Sequence, residues 1–319
     1  MSENATATVA NGASPRKATL RAETIDRLKR RAAIAAVAVA LTLIGLKFGA
    51  WLVTSSVSLL STLIDSLLDL AASALNFIAI RHAAQPADRE HRFGHGKAEP
   101  IAGFAQAAFI SGSAGFLLIQ SAERLVNPMP IERGTVGIAV MVVSIVLTMA
   151  LVAFQRHVVK RTGSVAIGAD KLHYQTDLMV NGSVIVALLL VSELGWTLAD
   201  PLFAIAIAAY ILYSARKILL SSFDMLMDRE LPDADRQRIF EIAEAHPRII
   251  SVHDLRTRKS GSRVFIQIHL ELDGNMRLKD SHDVAEEVMQ ALEAAFPDAE
   301  VLVHQDPHGV RERRDNFEE

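Results

Sequence analysis

Two aspartates, Asp65 and Asp69, stand four residues apart in STLIDSLLDL, and the rest of that stretch is apolar or hydroxylic. On a helix, positions i and i+4 share a face about one turn apart. Acids in an apolar span are costly, usually face a bundle interior, and mark paths for ions or protons. No basic residue lies near them in their own span, which weakens the reading of two acids merely tied off by ion pairs. A second pair follows in KLHYQTDLMVNG, where His173 and Asp177 are again four apart. Facing each other, the pairs offer three carboxylates and one imidazole, a set that suits a four-coordinate divalent cation such as Zn2+. Either pair alone is a weak signal; two pairs in two apolar spans are a strong one. Three ionised carboxylates without a cation would be costly at that depth, so the empty set is expected to take up protons that the cation displaces.

Two further groups lie outside the apolar spans. DREHRFGHGKAE places Asp88, His91 and His95 within eight residues, enough for a metal site and also compatible with a solvated polar loop. Farther on, RVFIQIHLEL alternates: Val264, Ile266, Ile268 and Leu270 point one way, and Phe265, Gln267 and His269 the other. In EVLVHQDP, His304 and Asp306 share a strand face, His253 opens one strand, and His282 opens a helix. One such histidine is an ordinary surface residue; four with an aspartate point to a metal cluster. His82, His157, His246 and His308 lack partners in sequence and are expected at surfaces or interfaces. Ser73, Asn76, Asn181 and Gly182 are expected to pack between spans.

These residues need elements to hold them. Half of the 319 residues are hydrophobic while 22% are charged, with a mean hydropathy of +0.25. Charge must therefore be segregated from apolar runs. A bilayer-crossing helix needs roughly 20 mostly apolar residues, and six runs qualify, near 32–54, 57–81, 100–124, 134–155, 172–194 and 199–221. Basic residues cluster before the first run and after the second, fourth and sixth, so both termini are expected on the cytoplasmic side. The N-terminus lacks the apolar core of a signal peptide, and residues to about Pro15 read as disordered. With no cysteine, disulfides, thiol nucleophiles and thiolate metal sites are excluded. A net charge of −3 gives no footing for nucleic acid. After about Asp228 the pattern becomes α-β-β-α-β, with KSGS between two alternating runs as a hairpin turn and Asp280 or Ser281 as a cap for the second helix. The expected organisation is an N-terminal extension (1–30), a six-helix membrane domain (31–222), a cytoplasmic α+β domain (223–308) and a loose tail (309–319).

The passages SLLSTLIDSLLD, QPADREHRFGHGKAEP, FQRHVVKRT, ADKLHYQTDLMVNG, HDLRTRKSG, FIQIHLEL and VHQDP resemble the cation diffusion facilitator family, and within it the bacterial zinc and iron efflux members. The resemblance runs from about Ala32 to Pro307. It implies a homodimer in the bacterial inner membrane with a metallochaperone-like cytoplasmic domain. It implies a transport site of Asp65, Asp69, His173 and Asp177, and a loop site of Asp88, His91 and His95. It also implies a two-metal cytoplasmic site, with His253 and His269 on one ion, His282 and His304 on the other, and Asp306 shared. A salt bridge between Lys97 and Asp228 would join the two domains. Members that prefer manganese tend to lack the histidine of the fifth span, so His173 tips the expectation towards zinc and cadmium, with Fe2+ open.

The expected function is proton-coupled export of Zn2+ or a similar ion by alternating access. A metal sensor that transports nothing is the alternative, and it leaves the membrane acids without a use. An intramembrane protease fits poorly: the acids share one helix, no second catalytic aspartate motif appears, and H-E-x-x-H is absent. No enzyme is expected.

Overall fold

The computed structural model describes residues 15–55, 57–126, 135–194, 196, 198–297 and 299–310. The expected disorder before Pro15, the link 127–134 and most of the expected loose tail lie outside these residues. The chain divides into two compact units, one of Thr24–Met227 and the other of Asp228–Glu319 together with the residues up to Glu23, so the start of α1 groups with the second.

The first unit is helical: α1 (Pro15–Thr54), α2 (Val57–Ala83), α3 (Ala98–Val126), α4 (Thr135–Thr162), α5 (Val165–Leu194) and α6 (Ala199–Leu226). All six expected runs are helices. The first starts much earlier than its apolar stretch, because residues 16–44 contain no glycine or proline and are rich in Ala, Leu, Arg and Lys, all good helix formers. α1, α2, α3, α4 and α6 each hold a described stretch long and apolar enough to cross a membrane, with mean hydropathies of 1.5 to 2.7. α5 has 30 residues and carries Asp170, Lys171, His173 and Asp177 in its first half.

Packing in this unit inverts the pattern of a water-soluble bundle. Ala32, Ala33, Ala36 and Ala40 of α1 are buried, while Leu41, Phe48, Leu52, Ile78, Phe116 and Ile119 are exposed. Small residues let helix backbones approach where lipid, not water, surrounds the bundle. Ala32, Ala33, Ile80, Val158 and Ile167 form one buried cluster; Ile110, Leu172, Ala208, Ile211 and Ala215 form another. At Gly103 a Cβ would stand 2.9 Å from Ser222 Oγ of α6 and 3.0 Å from Val165 Cγ1 of α5, so a side chain there would have to displace one of them. One charged pair is embedded in the packing: Lys29 Nζ of α1 donates to Glu99 Oε2 of α3 at 2.8 Å, with side chains only 5% and 4% exposed.

The second unit adds α7 (Asp233–Glu244), β1 (Ser251–Ser260), β2 (Arg263–Leu272), α8 (Leu278–Ala295) and β3 (Ala299–Pro307). This is the expected α-β-β-α-β order. β1 and β2 pair antiparallel across a two-residue turn, where Gly261 takes φ 61°, a value glycine adopts without steric cost. β3 pairs parallel to β2, which requires a crossover, and α8 supplies it. Ile266, Ile268 and Leu270 of β2 pack with Ile239 of α7 and Val288 and Leu292 of α8, so β2 turns to the core the face its alternation predicts. The expected cap of α8 is different. The helix starts at Leu278 without a side-chain cap, and Asp280 instead binds Arg277 Nε at 2.9 Å within the first turn.

Replacing Glu99 with Gln removes one charge of a buried pair and strands the other, a change that costs about 3–5 kcal/mol. Thermal unfolding in detergent should show a large loss for Glu99→Gln and recovery when Lys29→Met is added. Equal melting of the wild type and the single variant would show that the pair contributes nothing.

Candidate metal centres

α2 and α5 bring the first set together. His173 Nε2 stands 2.9 Å from Asp69 Oδ1 and 4.0 Å from Asp177 Oδ2, and all three residues offer ligand atoms within 4.8 Å of one another. Ligand atoms around a tetrahedral Zn2+ stand about 3.3 Å apart, given bonds of roughly 2.0 Å. The observed spacings bracket that value, so one ion fits with side-chain adjustment alone. The His173 side chain is 9% exposed, Asp69 18% and Asp177 35%. Asp65 is exposed and lies outside this group. It stands one turn before Asp69 on α2.

Neighbouring helices contribute residues that the spacing rules did not single out. Lys47 of α1 donates to Thr62 O at 3.0 Å and to Ser66 Oγ at 2.7 Å, which puts a cation beside Asp65 from another helix. Asp170, one turn before His173, is fully buried. It accepts from Gln155 Nε2 of α4 at 2.6 Å, Gln106 Nε2 of α3 at 3.3 Å and Ser73 Oγ of α2 at 3.4 Å. Ser73 Oγ also shares a hydrogen bond with the Tyr174 hydroxyl at 2.8 Å, and that hydroxyl donates to Ala36 O of α1 at 3.3 Å. Five helices thus meet in one polar network next to the Asp69–His173 contact. A readable signal existed: Asp170 and His173 are an i, i+3 pair, and glutamines are rare in apolar spans. Ser73 therefore does more than pack. Asn76 is buried with both terminal amide atoms unpartnered.

The loop after α2 builds the second set. Asp88 Oδ1 is 3.4 Å from His91 Nδ1, and Asp88 Oδ2 is 3.3 Å from His95 Nε2. Asp88 also accepts from the backbone N–H of His91 at 2.6 Å and of Glu90 at 2.9 Å. The His91 N–H foremost holds its carboxyl below the usual aspartate range. Gly94 at φ 78° turns the chain, and His95 is buried with Nδ1 unpartnered. The His82 ring lies edge-on to His95 at 4.6 Å, so His82 belongs to this neighbourhood.

The sheet of the second unit assembles the third set. Its register puts His253 opposite His269, and His269 opposite His304, so three imidazoles form a row across three strands. Their rings are 5.4 and 4.6 Å apart. Asp306, two residues beyond His304 on the same face, sits beneath the row. Its Oδ2 is 3.0 Å from His253 Nε2 and 2.9 Å from His269 Nδ1, and its Oδ1 is 3.0 Å from His304 Nε2. The donors fit metal binding: His253 Nδ1 is buried without a partner, and one carboxylate divides its two oxygens between two histidine groups, as a bridging ligand would. Asp254 also offers a ligand atom near His253 and His269. It sits at φ 47°, where the β1–β2 register shifts, a bulge that alternation cannot reveal. His282 is exposed near the start of α8 and is not among the groups that converge within the described residues. Its neighbour Ser281 reaches β3 through Gln305 Oε1 at 3.1 Å.

The remaining expected residues fall as follows. Lys97 Nζ donates to Leu226 O at 3.4 Å in the first unit, and Asp228 Oδ1 lies 3.5 Å from Arg258 Nη1 in the second. His246 and His308, expected without partners, pair with Glu287 at 3.0 Å and Glu271 at 2.8 Å.

Residues 33–227 match the cation efflux transmembrane domain family, and residues 231–308 match the cytoplasmic domain of cation efflux proteins. The cation-efflux pump FieF of Salmonella arizonae is 51% identical over 288 residues, covering 90% of this chain and 96% of its own. FieF of Salmonella typhimurium is 50% identical over the same span. Among solved structures, the metal-bound C-terminal domain of the CzcD transporter from Thermotoga maritima is 30% identical. It covers 25% of this chain and 93% of its own, with a TM-score of 0.24.

Asp306 is the residue on which the sheet cluster turns. In the full-length protein, Asp306→Ala should weaken Zn2+ binding at this cluster by more than the roughly 10–100-fold that outer-shell changes cost. Titration calorimetry would show this as loss of a class of sites. Retention of every class at wild-type affinity would remove Asp306 from the centre.

Proposed function

This chain belongs to the cation efflux family of membrane transporters, and on that premise we propose that it exports a divalent transition-metal ion, Zn2+ foremost, in exchange for protons. The observation that carries the reading is the convergence of Asp69, His173 and Asp177 from α2 and α5 among long apolar helices. Oxygen donors alone would suit harder cations; one imidazole among carboxylates favours Zn2+, with Cd2+ and Fe2+ as neighbours in preference. Asp65 completes the set by swinging towards Asp69. The ligands must be free of protons to bind the ion, so its arrival expels protons and their return expels it. Alternating exposure of this one site to the two sides of the bacterial inner membrane then couples the fluxes.

The other centres serve this cycle. The loop group of Asp88, His91 and His95 takes ions more weakly, since Asp88 and His91 are about half exposed. The sheet cluster holds structural or regulatory Zn2+, which orients the three histidines and Asp306 and steadies a homodimer through the cytoplasmic domain. His282 joins that centre by rotation of the first turn of α8. Both termini lie in the cytoplasm. A non-transporting metal sensor would use the sheet cluster equally well. It gives no reason for acids and a histidine to meet inside apolar helices.

Purified protein in liposomes with an internal pH dye should move Zn2+ and protons in opposite directions, and Asp69→Ala should reduce both to the leak of empty liposomes. Zn2+ binding without flux would turn the reading to the sensor. Wild-type flux in Asp69→Ala would sink the site.

A further inference from the structure

Asp170 is the most deeply buried carboxylate among the described residues, 0% exposed, and nothing in the transport cycle above uses it. Among the described residues, no lysine, arginine or histidine nitrogen lies within ion-pair distance of it. Its partners are two amides and a hydroxyl. A carboxylate buried without a countercharge is so costly that such a group takes up a proton instead.

The geometry agrees. The contact with Gln155 is 2.6 Å, short for an amide N–H···O bond and ordinary for O–H···O. Which end of a glutamine amide is oxygen is assigned from its hydrogen bonds. Turned over, Gln155 accepts an O–H from Asp170. The other end of the amide is buried without a partner in either orientation, so the turn costs no bond.

The groups that face Asp170 are few. On its own helix, His173 and Tyr174 are its titratable neighbours. α2, α3 and α4 present neutral Ser73, Gln106 and Gln155. The charged neighbours of Gln155, Arg156 and His157, are exposed. On α3, Glu99 is occupied by Lys29 of α1. α6 meets this stretch of α5 with Ala208, Ile211 and Ala215 around Leu172.

Position then gives the buried acid a use. Asp170 is one turn before His173 on α5, and its partner Ser73 is one turn after Asp69 on α2. It is close enough to feel a dication held by those ligands and is not itself among them. A nearby positive charge favours the ionised carboxyl.

We propose that Asp170 is a proton-binding site separate from the metal ligands, protonated when Asp69, His173 and Asp177 hold no cation and deprotonated when they do. The O–H bond breaks, its electron pair stays on the carboxylate, and the proton passes to water. The site adds one exchanged proton per ion without adding a ligand. This rests on the proton-exchange reading, but its test does not require transport.

Infrared difference spectra of the full-length protein with and without Zn2+ report the carbonyl stretch of protonated carboxylic acids. In the wild type, Zn2+ should remove a band that is missing from Asp170→Asn, while the variant still binds Zn2+ at the membrane site. Gln155→Met, which deletes the acceptor and keeps Asp170, should shift that band. It also serves as the test if Asp170→Asn fails to fold. A Zn2+-sensitive band of the same size in Asp170→Asn, or an unshifted band in Gln155→Met, would overturn the proposal. Failure of flux with these spectra as expected would count against the antiporter and leave the proton site standing.

Discussion

The Asp69–His173 contact, 2.9 Å across α2 and α5, sets the register of the helical domain. Apolar helices surrounded by lipid can slide past one another at little cost, because their apolar surfaces are equivalent to the tails they touch. A carboxylate and an imidazole cannot slide, since each would lose the partner that makes its burial tolerable. Around this contact the other helices are pinned in turn: α1 by Lys47 and by the Ala36 carbonyl, α3 by Gln106, α4 by Gln155. The polar residues of the bundle thus work as specificity devices as well as chemistry. The small residues of α1 permit the close approach that lets them reach each other.

The cytoplasmic domain reaches a similar density of ligands by different means. A helix offers ligands at i and i+4, so two helices are needed for a cage. A sheet offers neighbours across strands, so one histidine per strand suffices once the register aligns them. The parallel β2–β3 pairing is essential here, because it sets His269 beside His304. That pairing depends on α8, whose Val288 and Leu292 pack with Ile266, Ile268 and Leu270 of the sheet. Core packing on one face of β2 therefore fixes the spacing of the histidines on the other.

Much of this was legible in the amino-acid order, because the two periodicities are strong. Apolar runs located six helices, and alternation located three strands and their buried face. The i, i+4 pairs found three of the residues that meet in the membrane. What escaped depended on contacts between distant parts of the chain. Lys47 lies 18 residues before Asp65, and only packing of α1 on α2 brings it near. The i, i+3 pairing of Asp170 with His173 was readable, but its place as a hub comes only from Gln106 and Gln155, which converge on it from two other helices. Asp254 joins the histidines because a bulge breaks the alternation that would have turned it away. Asp65 and His282 show the converse, since sequence spacing grouped each with a set of ligands that converges without it. The helical start of α1 at Pro15 escaped because an apolar scan does not see a helix made of charged residues.

On the proposed function, the contrast in exposure between the two centres follows from what each would do with an ion. Asp306 is only 6% exposed on its side chain and lies within 3.0 Å of three histidines, so its geometry is set before any ion arrives. Structural metal sites are closed in this way, whereas sites that exchange their occupant keep a position open. In the membrane the ligands are incomplete and uneven: Asp177 is 35% exposed, its nearest histidine nitrogen is 4.0 Å away, and Asp65 stands apart. A cage as complete as the sheet cluster would hold cargo too well to release it. In the proposed transport site an incomplete cage would spend part of the binding energy on drawing Asp65 and Asp177 inward, the kind of movement that links occupancy to a change of state.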